Sequence, residues 1–197
     1  HHVATSIRAD SVVKQVANDL QQDMQMLQRQ TPSRVSFNIL EEVRQYPYEL
    51  EILSRCNGYL QAIEYQSIIR IANELNGIVD MHVRAGSFIL KGTPVVTVLS
   101  DAPLPLSSST AYQQSINDAF VLGQERTALQ DPLFAVNQLV EMALRALSPS
   151  LNDPFTAINC IDRLAEALGS FRDDTLPKNA MVNEDGRLCI INCDVTY

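Results

Sequence analysis

Two Asp-Pro pairs, Asp131-Pro132 and Asp153-Pro154, constrain the fold of this chain more than any other feature of its sequence. The Asp side chain accepts hydrogen bonds from the free N–H groups that begin a helix, and Pro at the first helical position loses no hydrogen bond. Apolar residues at helical spacing follow each pair, which predicts amphipathic helices over residues 133–147 and 155–168.

The joint between these two predicted helices is short, spanning residues 148–152, so an antiparallel hairpin is expected. Arg145, in the last turn of the first helix, should reach Asp153, whereas Asp131 should lie at the opposite end. One interpretation of the polar residues is helix caps with a buried Arg145–Asp153 pair; the other is a ligand-binding or enzymatic site around Arg145, Asn152 and Asp153. The whole candidate cluster is Arg126, Asp131, Arg145, Ser148, Asn152, Asp153 and Thr156.

The composition indicates an ordinary globular protein, with 46% hydrophobic and 19% charged residues among 197. A net charge of -8 excludes a nucleic-acid partner, because phosphate binding needs clustered Lys and Arg residues. No apolar run approaches the roughly 18 residues of a membrane-spanning helix, so the chain as given is expected to be soluble. Neither a metal-ligand set nor a phosphate loop is evident, and no cofactor is predicted.

All four cysteines are predicted to be free thiols in a reducing compartment. Cys189 and Cys193 fall in one predicted strand, over residues 187–195, where they should lie ~13 Å apart, too far for a disulfide or a shared metal. Cys160 falls inside the second predicted helix and reads as a small buried hydrophobe, and Cys56 is the fourth.

An amino-terminal helix is predicted from Ser11 to Gln30, ended by Thr31-Pro32-Ser33. Its apolar residues alternate in steps of four and three, which places them on one helical seam. The seam either packs on its own domain or forms a stalk that pairs with a neighbouring subunit, giving a homo-oligomer. The seam residues are Val13, Ala17, Leu20, Met24 and Leu27.

The following region is rich in predicted β-structure. Asn57-Gly58 between two alternating runs predicts a β-hairpin, and a helix over residues 65–75 is expected to stop at Gly77. Three short strands follow within residues 77–99, and their glycine spacing resembles half of a lipoyl/biotinyl-type barrel-sandwich. Lys91 lacks the flanking Met or Asp of such carriers, which disfavours a cofactor-carrying role, and His82 is expected to face solvent.

Residues 101–110, rich in Pro and Ser, form the predicted linker, and a helix is predicted over residues 112–127. The expected fold class is therefore α+β: a small barrel-sandwich-like β unit with an inserted helix, plus a helical hairpin and a terminal strand. The predicted parts are residues 1–32, an amino-terminal helix following a membrane segment; residues 33–100, the β-rich part; and residues 111–197, the helical part with the final strand.

The most specific stretches of the sequence are Gly123-Gln124-Glu125-Arg126, Ala146-Leu147-Ser148-Pro149 and Asn152-Asp153-Pro154-Phe155-Thr156-Ala157. Together with Gln130-Asp131-Pro132, they resemble the domain of unknown function 2254 family of bacterial predicted membrane proteins. That resemblance covers nearly the whole chain and implies membrane helices before this part, but no established activity. It also suggests that His1-His2 are native, whereas a purification-tag remnant is the usual interpretation of such a pair.

The sequence therefore favours a non-enzymatic regulatory, sensing or assembly module of a channel- or transporter-like membrane protein. Its expected partners are its own membrane helices and further copies of itself. The resemblance implies the bacterial inner membrane, and the predicted free thiols favour the cytoplasmic side for this part. The alternative is the ligand-binding or enzymatic domain with a polar site at Arg145, Asn152 and Asp153.

Overall fold

The computed structural model describes residues 11–22, 39–104, 106–169 and 180–192, and the chain divides into two compact units. The helical unit combines His1–Gln30 with Thr127–Leu176, and the β unit combines Thr31–Arg126 with Pro177–Tyr197. This division differs from the predicted three parts, because each unit is built from two separate stretches of the chain. The α+β class is confirmed.

The larger sheet of the β unit has five strands in the order β1-β5-β3-β8-β7. The strands pair antiparallel except for β3 and β8, which run parallel with Val79 opposite Ile190. The predicted terminal strand therefore completes the sheet of the β unit and does not accompany the helical hairpin. The strands are β1 (Tyr48–Leu53), β3 (Ile78–Met81), β5 (Pro94–Ser100), β7 (Ala180–Val182) and β8 (Leu188–Asn192).

The smaller sheet has three antiparallel strands in the order β4-β2-β6. They are β2 (Gly58–Ile63), β4 (Phe88–Ile89) and β6 (Phe120–Gly123). The described strands thus form two sheets that do not close into a barrel. The likeness to a barrel-sandwich stays a prediction.

The predicted hairpin at Asn57-Gly58 is wrong, because β1 and β2 belong to different sheets. The Asn57 carboxamide oxygen accepts the backbone N–H of Lys91 at 2.7 Å, which ties the turn to the β4–β5 connection. At Gly58 an added Cβ would lie 2.8 Å from the carbonyl oxygen of Gly123 in β6. Glycine is therefore required for close approach of the two backbones and not for a tight hairpin turn.

Three helices belong to the β unit: α2 (Ile39–Val43), α3 (Tyr65–Glu74) and α4 (Leu106–Asp118). Helix α4 begins inside the predicted linker and ends before the predicted helix of residues 112–127 does. Phe120 instead pairs with Ile63 in the smaller sheet. Ile116 is fully buried in the core of the unit, and this packing stabilises a helix whose Ser-rich start has a weak apolar pattern.

The end of α3 differs from its predicted form. Asn76, with φ 47°, is the residue in the left-handed conformation, and the N–H of Gly77 donates to the Ala72 carbonyl at 2.9 Å. Gly77 is required for another reason: a Cβ there would lie 2.1 Å from the Leu99 carbonyl oxygen. The helix end is thereby held directly against β5 at the larger sheet.

The helical unit contains α1 (residues 11–22), α5 (Pro132–Ala146) and α6 (Pro154–Gly169), which confirms the predicted helices of the hairpin. Val13 and Leu20 of the predicted seam are buried at 0% and 1% exposure, so this part of the seam packs within its own unit. Met24 and Leu27 lie outside the described residues, and self-association through the seam stays a prediction. The buried core comprises Val13, Val16, Leu20, Ala135, Leu139, Cys160 and Ala167.

Cys56, Cys160 and Cys189 are free thiols, as predicted. Cys56 is exposed, whereas Cys160 and Cys189 are buried. Burial raises the pKa of the Cys189 thiol, partly offset by the neighbouring Arg187. Cys193 lies outside the described residues.

Candidate functional site

The joint between α5 and α6 reverses the chain through its own backbone hydrogen bonds. The carbonyl oxygen of Ser148 accepts the N–H groups of Leu151 at 3.1 Å and Asn152 at 2.8 Å. Asn152 adopts a left-handed conformation with φ 46°, and the N–H of Asp153 then donates to the Ala146 carbonyl at 2.8 Å. The start of α6 is thus fixed beside the end of α5, and the two packed helices form an antiparallel hairpin.

Asp153 caps α6 through both oxygens of its carboxylate. Oδ1 accepts the backbone N–H of Thr156 at 3.1 Å, and Oδ2 accepts the Thr156 hydroxyl at 2.7 Å. These hydrogen bonds lower the pKa of Asp153. Thr156 is buried, at 5% exposure, so the cap is closed on its inner side. The predicted capping role of Asp153 is confirmed.

The predicted contact between Arg145 and Asp153 is wrong. The Arg145 guanidinium instead pairs with Glu141, one turn earlier on α5, at 2.5 Å. Both side chains are largely exposed, at 73% and 60%. Residues four apart on a helix face are neighbours, so Glu141 is within reach without any rearrangement of the joint. An exposed pair of this kind contributes little to stability.

Asp131 differs from Asp153 although both precede a proline. It stands at the start of α5 with φ −126°, makes no side-chain capping bond to the helix, and is buried at 4% exposure. Helix α5 has 15 residues, which separates Asp131 from the joint by ~22 Å. Arg126 belongs to the β unit.

The candidate cluster is therefore only partly brought together. Ser148, Asn152, Asp153 and Thr156 share the joint, where the hydroxyls of Ser148 and Ser150 lie 3.2 Å apart. Arg145 is next to the joint in sequence but is paired away from Asp153. The joint is therefore a capped turn between two helices. Hydrogen bonds from Thr156 favour the ionised form of its carboxylate, that of Asp153.

A polar cluster that the sequence did not reveal lies at the carboxyl end of α3. The Arg187 guanidinium donates to the Ala72 carbonyl at 2.8 Å and contacts the carboxamide oxygens of Asn73 and Asn76. Asn183 also donates to Asn73, at 2.8 Å. A cation is favourable at the carboxyl end of a helix. Because Arg187 and Asn183 belong to the β7–β8 hairpin, their hydrogen bonds join this hairpin to the end of α3. In the sequence, Asn73 and Asn76 before Gly77 could have indicated a polar cluster at this helix end. Their partner Arg187 is more than a hundred residues away and could not be identified.

Among the described residues, no group of His, Cys, Asp and Glu side chains could hold a metal ion. His82 is exposed and lies 3.0 Å from the Thr97 hydroxyl. In the described part of the chain, no helix is long and apolar enough to span a membrane.

Large apolar side chains remain exposed along the helical hairpin, and we call this surface the apolar face. On α5 and just beyond it, the face comprises Leu133, Val140, Leu144 and Leu147. From the joint through α6, it comprises Leu151, Phe155, Ile158, Ile161 and Leu168. Their exposure ranges from 39% at Leu133 to 80% at Phe155. A set of exposed large apolar side chains on two packed helices is typical of an interaction site.

The fold and the joint define a two-unit α+β protein whose helical hairpin is capped by Asp153 and bears an exposed apolar face. The chain belongs to the predicted membrane protein family DUF2254, whose family model matches residues 1–197. The resemblance inferred from the Asp-Pro stretches is thereby confirmed.

Two mycobacterial proteins are among the relatives of the chain. Uncharacterised proteins of Mycobacterium bovis and Mycobacterium tuberculosis are each 28% identical to it over 137 residues. The aligned region covers 70% of this chain and 26% of each relative. The match therefore spans about a quarter of the length of these relatives.

Proposed function

We propose that this chain is a non-enzymatic assembly module of a membrane protein, which regulates the membrane part by holding its copies or segments together. Membership of a predicted membrane protein family supports the membrane context. The single observation that carries the non-enzymatic role is the state of Asp153, whose two carboxylate oxygens are both engaged by Thr156.

A general base or acid works best with a pKa near the operating pH, and enzymes commonly raise the pKa of a carboxyl group toward 7 for this purpose. The hydrogen bonds from Thr156 act in the opposite direction and lower the pKa of Asp153. Arg145, the other charged group proposed for a site here, is exposed and paired with Glu141. The polar residues of the joint are thus suited to holding two helices and not to activating a substrate.

The first experiment tests for the alternative ligand-binding role. Thermal melts of the chain are recorded against a panel of nucleotides, amino acids, sugars and divalent cations. Because a ligand that binds the folded state raises the melting temperature, an assembly module is expected to give no shift that depends on the joint. Asn152→Gly is the matched variant, since Gly keeps the left-handed conformation while removing the carboxamide. A compound whose stabilisation disappears in Asn152→Gly overturns the proposal.

The second experiment tests the assembly role itself. Native mass spectrometry of the full-length protein in lipid nanodiscs is compared with the same protein lacking residues 1–197 of this chain. Loss of the module is expected to lower the number of associated copies. An unchanged mass distribution contradicts an assembly role, whatever surface is responsible.

We also propose that the chain faces the cytoplasm. The exposed free thiol of Cys56 supports this side, because exposed thiols persist in reducing compartments. A membrane-impermeant maleimide is expected to label Cys56 in inside-out vesicles and not in intact spheroplasts, with Cys56→Ser as the control. Labelling in intact spheroplasts would place the chain on the outer side.

A further inference from the structure

The apolar face has the residue spacing of a helix–helix interface. On α5 the exposed positions are separated by alternating steps of four and three residues. They are Leu133, Asn137, Val140, Leu144 and Leu147. All five side chains are exposed. This is the spacing of a coiled-coil seam, in which positions a and d face a partner helix. Ile158, Ile161, Ala165 and Leu168 repeat the pattern on α6 and are also exposed.

Both seams lie on the same side of the hairpin. At roughly 100° per residue, the exposed seam of α5 is rotated by roughly 120° from the buried stripe that contains Leu139. The seam of α6 is rotated by roughly 130°, in the same sense, from the stripe that contains Cys160. Equal rotations about two antiparallel helices bring both seams to one side of the pair. The hairpin therefore presents one two-helix surface.

This surface is large enough for a stable interface. The nine large residues of the apolar face, each 39% to 80% exposed, together expose on the order of 1,000 Å². Each partner in a standard protein–protein interface contributes about 800 Å². The face thus matches one half of such an interface.

The charges around the face do not favour a lipid surface as its partner. Helices that lie on membranes carry Lys and Arg on their polar side, where they meet anionic headgroups. The two arginines of the hairpin, Arg145 and Arg163, are instead paired with Glu141 and Glu166, each at 2.5 Å. The chain as a whole has a net charge of -8, which opposes binding to an anionic bilayer.

Asn137 favours a second copy of the same chain. It is the polar member of the α5 seam, and it is exposed. A single Asn at an a position fixes register and oligomer state by pairing with the same residue of a partner helix. An isologous dimer presents Asn137 from both copies, and the two carboxamides meet where α5 crosses the two-fold axis or runs parallel and in register with its counterpart.

We infer that the apolar face of the hairpin binds the same face of a second copy, so that two hairpins form a four-helix interface. This inference rests on the proposed assembly function and identifies its partner. Anchoring copies in one membrane raises their effective concentration, which favours binding between their apolar faces.

Photo-crosslinking in the native membrane identifies the occupant of the face. A photoreactive amino acid is placed at Leu144, which is 66% exposed, in the full-length protein. The expected product has twice the mass of the protein. Leu90, which is 59% exposed in the β unit, is the matched control position and should give no such product. Adducts to lipid, to another protein or to the membrane part of the same molecule, without the doubled product, overturn the inference.

Sedimentation equilibrium of the chain measures the contact directly. Leu144→Glu would bury a charge in the interface and is expected to raise the dimer dissociation constant about 100-fold or more. Ile161→Glu tests the α6 seam in the same way, and Leu90→Glu should leave the constant unchanged. Circular dichroism melts confirm that each variant is folded, which is expected because all three side chains are more than half exposed. Equal constants for wild type and both seam variants overturn the inference.

Failure of this inference is distinguishable from failure of the proposed function. If the full-length protein loses copies without the module but gives no crosslink at Leu144, assembly stands and this surface is not responsible. If a ligand depends on Asn152, the proposed function fails independently of the crosslink.

Discussion

The two units of this chain differ in how much of their apolar side-chain surface is buried. The core of the β unit consists largely of large side chains, such as Ile52, Leu60 and Ile68. Three of the described core residues of the helical unit are small: Ala135, Cys160 and Ala167. Leu20 and Leu139 are also buried there, but many of the larger apolar residues of α5 and α6 are exposed. Among the described residues, exposed large apolar side chains are also present in the β unit, for example at Phe88 and Leu90, but more of them lie in the helical unit, which therefore has the larger apolar surface for a further partner.

Substitution of two leucines on one helix gives the sharpest test of this contrast. Leu139→Ala removes a fully buried side chain of α5 and is expected to cost about 2 to 5 kcal/mol of unfolding free energy. Leu144→Ala, on the exposed side of α5, should change the unfolding free energy by no more than about 0.5 kcal/mol. Urea unfolding is measured at a dilution where the chain is monomeric. Equal costs would mean that the apolar face is covered within a single chain.

Two glycines extend the comparison between the units. Gly77→Ala would drive a Cβ to 2.1 Å from the Leu99 carbonyl oxygen, so the backbone must shift, at an expected cost of about 1 to 3 kcal/mol. Gly169→Ala, at the end of α6, meets nothing within 4 Å and should change stability by no more than about 1 kcal/mol. Chemical denaturation of both variants is the measurement. A costly Gly169→Ala would reveal close packing at that end of the hairpin.

Two arginines test whether the cluster at the end of α3 is structural. Arg187→Lys loses the forked donation to Ala72 and Asn73, with an expected cost of about 1 to 2 kcal/mol. Arg163→Lys keeps the exposed attraction to Glu166 and should cost less than about 0.5 kcal/mol. Thermal melts followed by circular dichroism compare the two. A neutral Arg187→Lys would show that the β7–β8 hairpin does not depend on this cluster.

The smallest expected effect concerns the cap of α6. Hydrogen bonds from Thr156 lower the folded-state pKa of Asp153 below the ordinary value of an Asp side chain, so the unfolded chain takes up a proton first as pH falls. The contribution of Asp153 to stability is therefore complete above about pH 4 and is lost as pH falls through the folded-state pKa. Asp153→Asn keeps a capping oxygen and removes the charge, so it should melt only about 1 °C below wild type at pH 7, with a difference that shrinks below pH 4. A pH-independent difference would assign the effect to something other than the carboxylate.

Local chemistry explains why the hairpin was predictable. Asp-Pro starts, apolar spacing and Gly169 specify both helices within windows of about 15 residues, and the structure has them at Pro132–Ala146 and Pro154–Gly169. The cap at Asp153 involves a residue three positions away and was equally accessible. The predicted Arg145–Asp153 pair does not form, because the guanidinium of Arg145 pairs with Glu141 on the same helix instead, and the sequence alone does not rank these two acceptors.

Strand pairing was less predictable because its partners are remote in sequence. Asn57-Gly58 resembles a hairpin turn, yet its specific contacts are made with Lys91 and Gly123. Phe120 has helical spacing with Ile116 but pairs with Ile63 in a sheet. In each case a backbone hydrogen-bond partner more than thirty residues away overrides the local preference.

The sequence by itself determined the family, the α+β class, the hairpin with its Asp153 cap and the free state of the described cysteines. These features follow from residues that act within one or two helical turns, or from long motifs. Tertiary structure alone decided that β8 lies beside β3, that Arg187 holds the end of α3, and which side of each hairpin helix is buried. The spacing of apolar residues indicates that a helix has an apolar surface. Which part of that surface is buried depends on neighbouring elements that only the folded chain brings together.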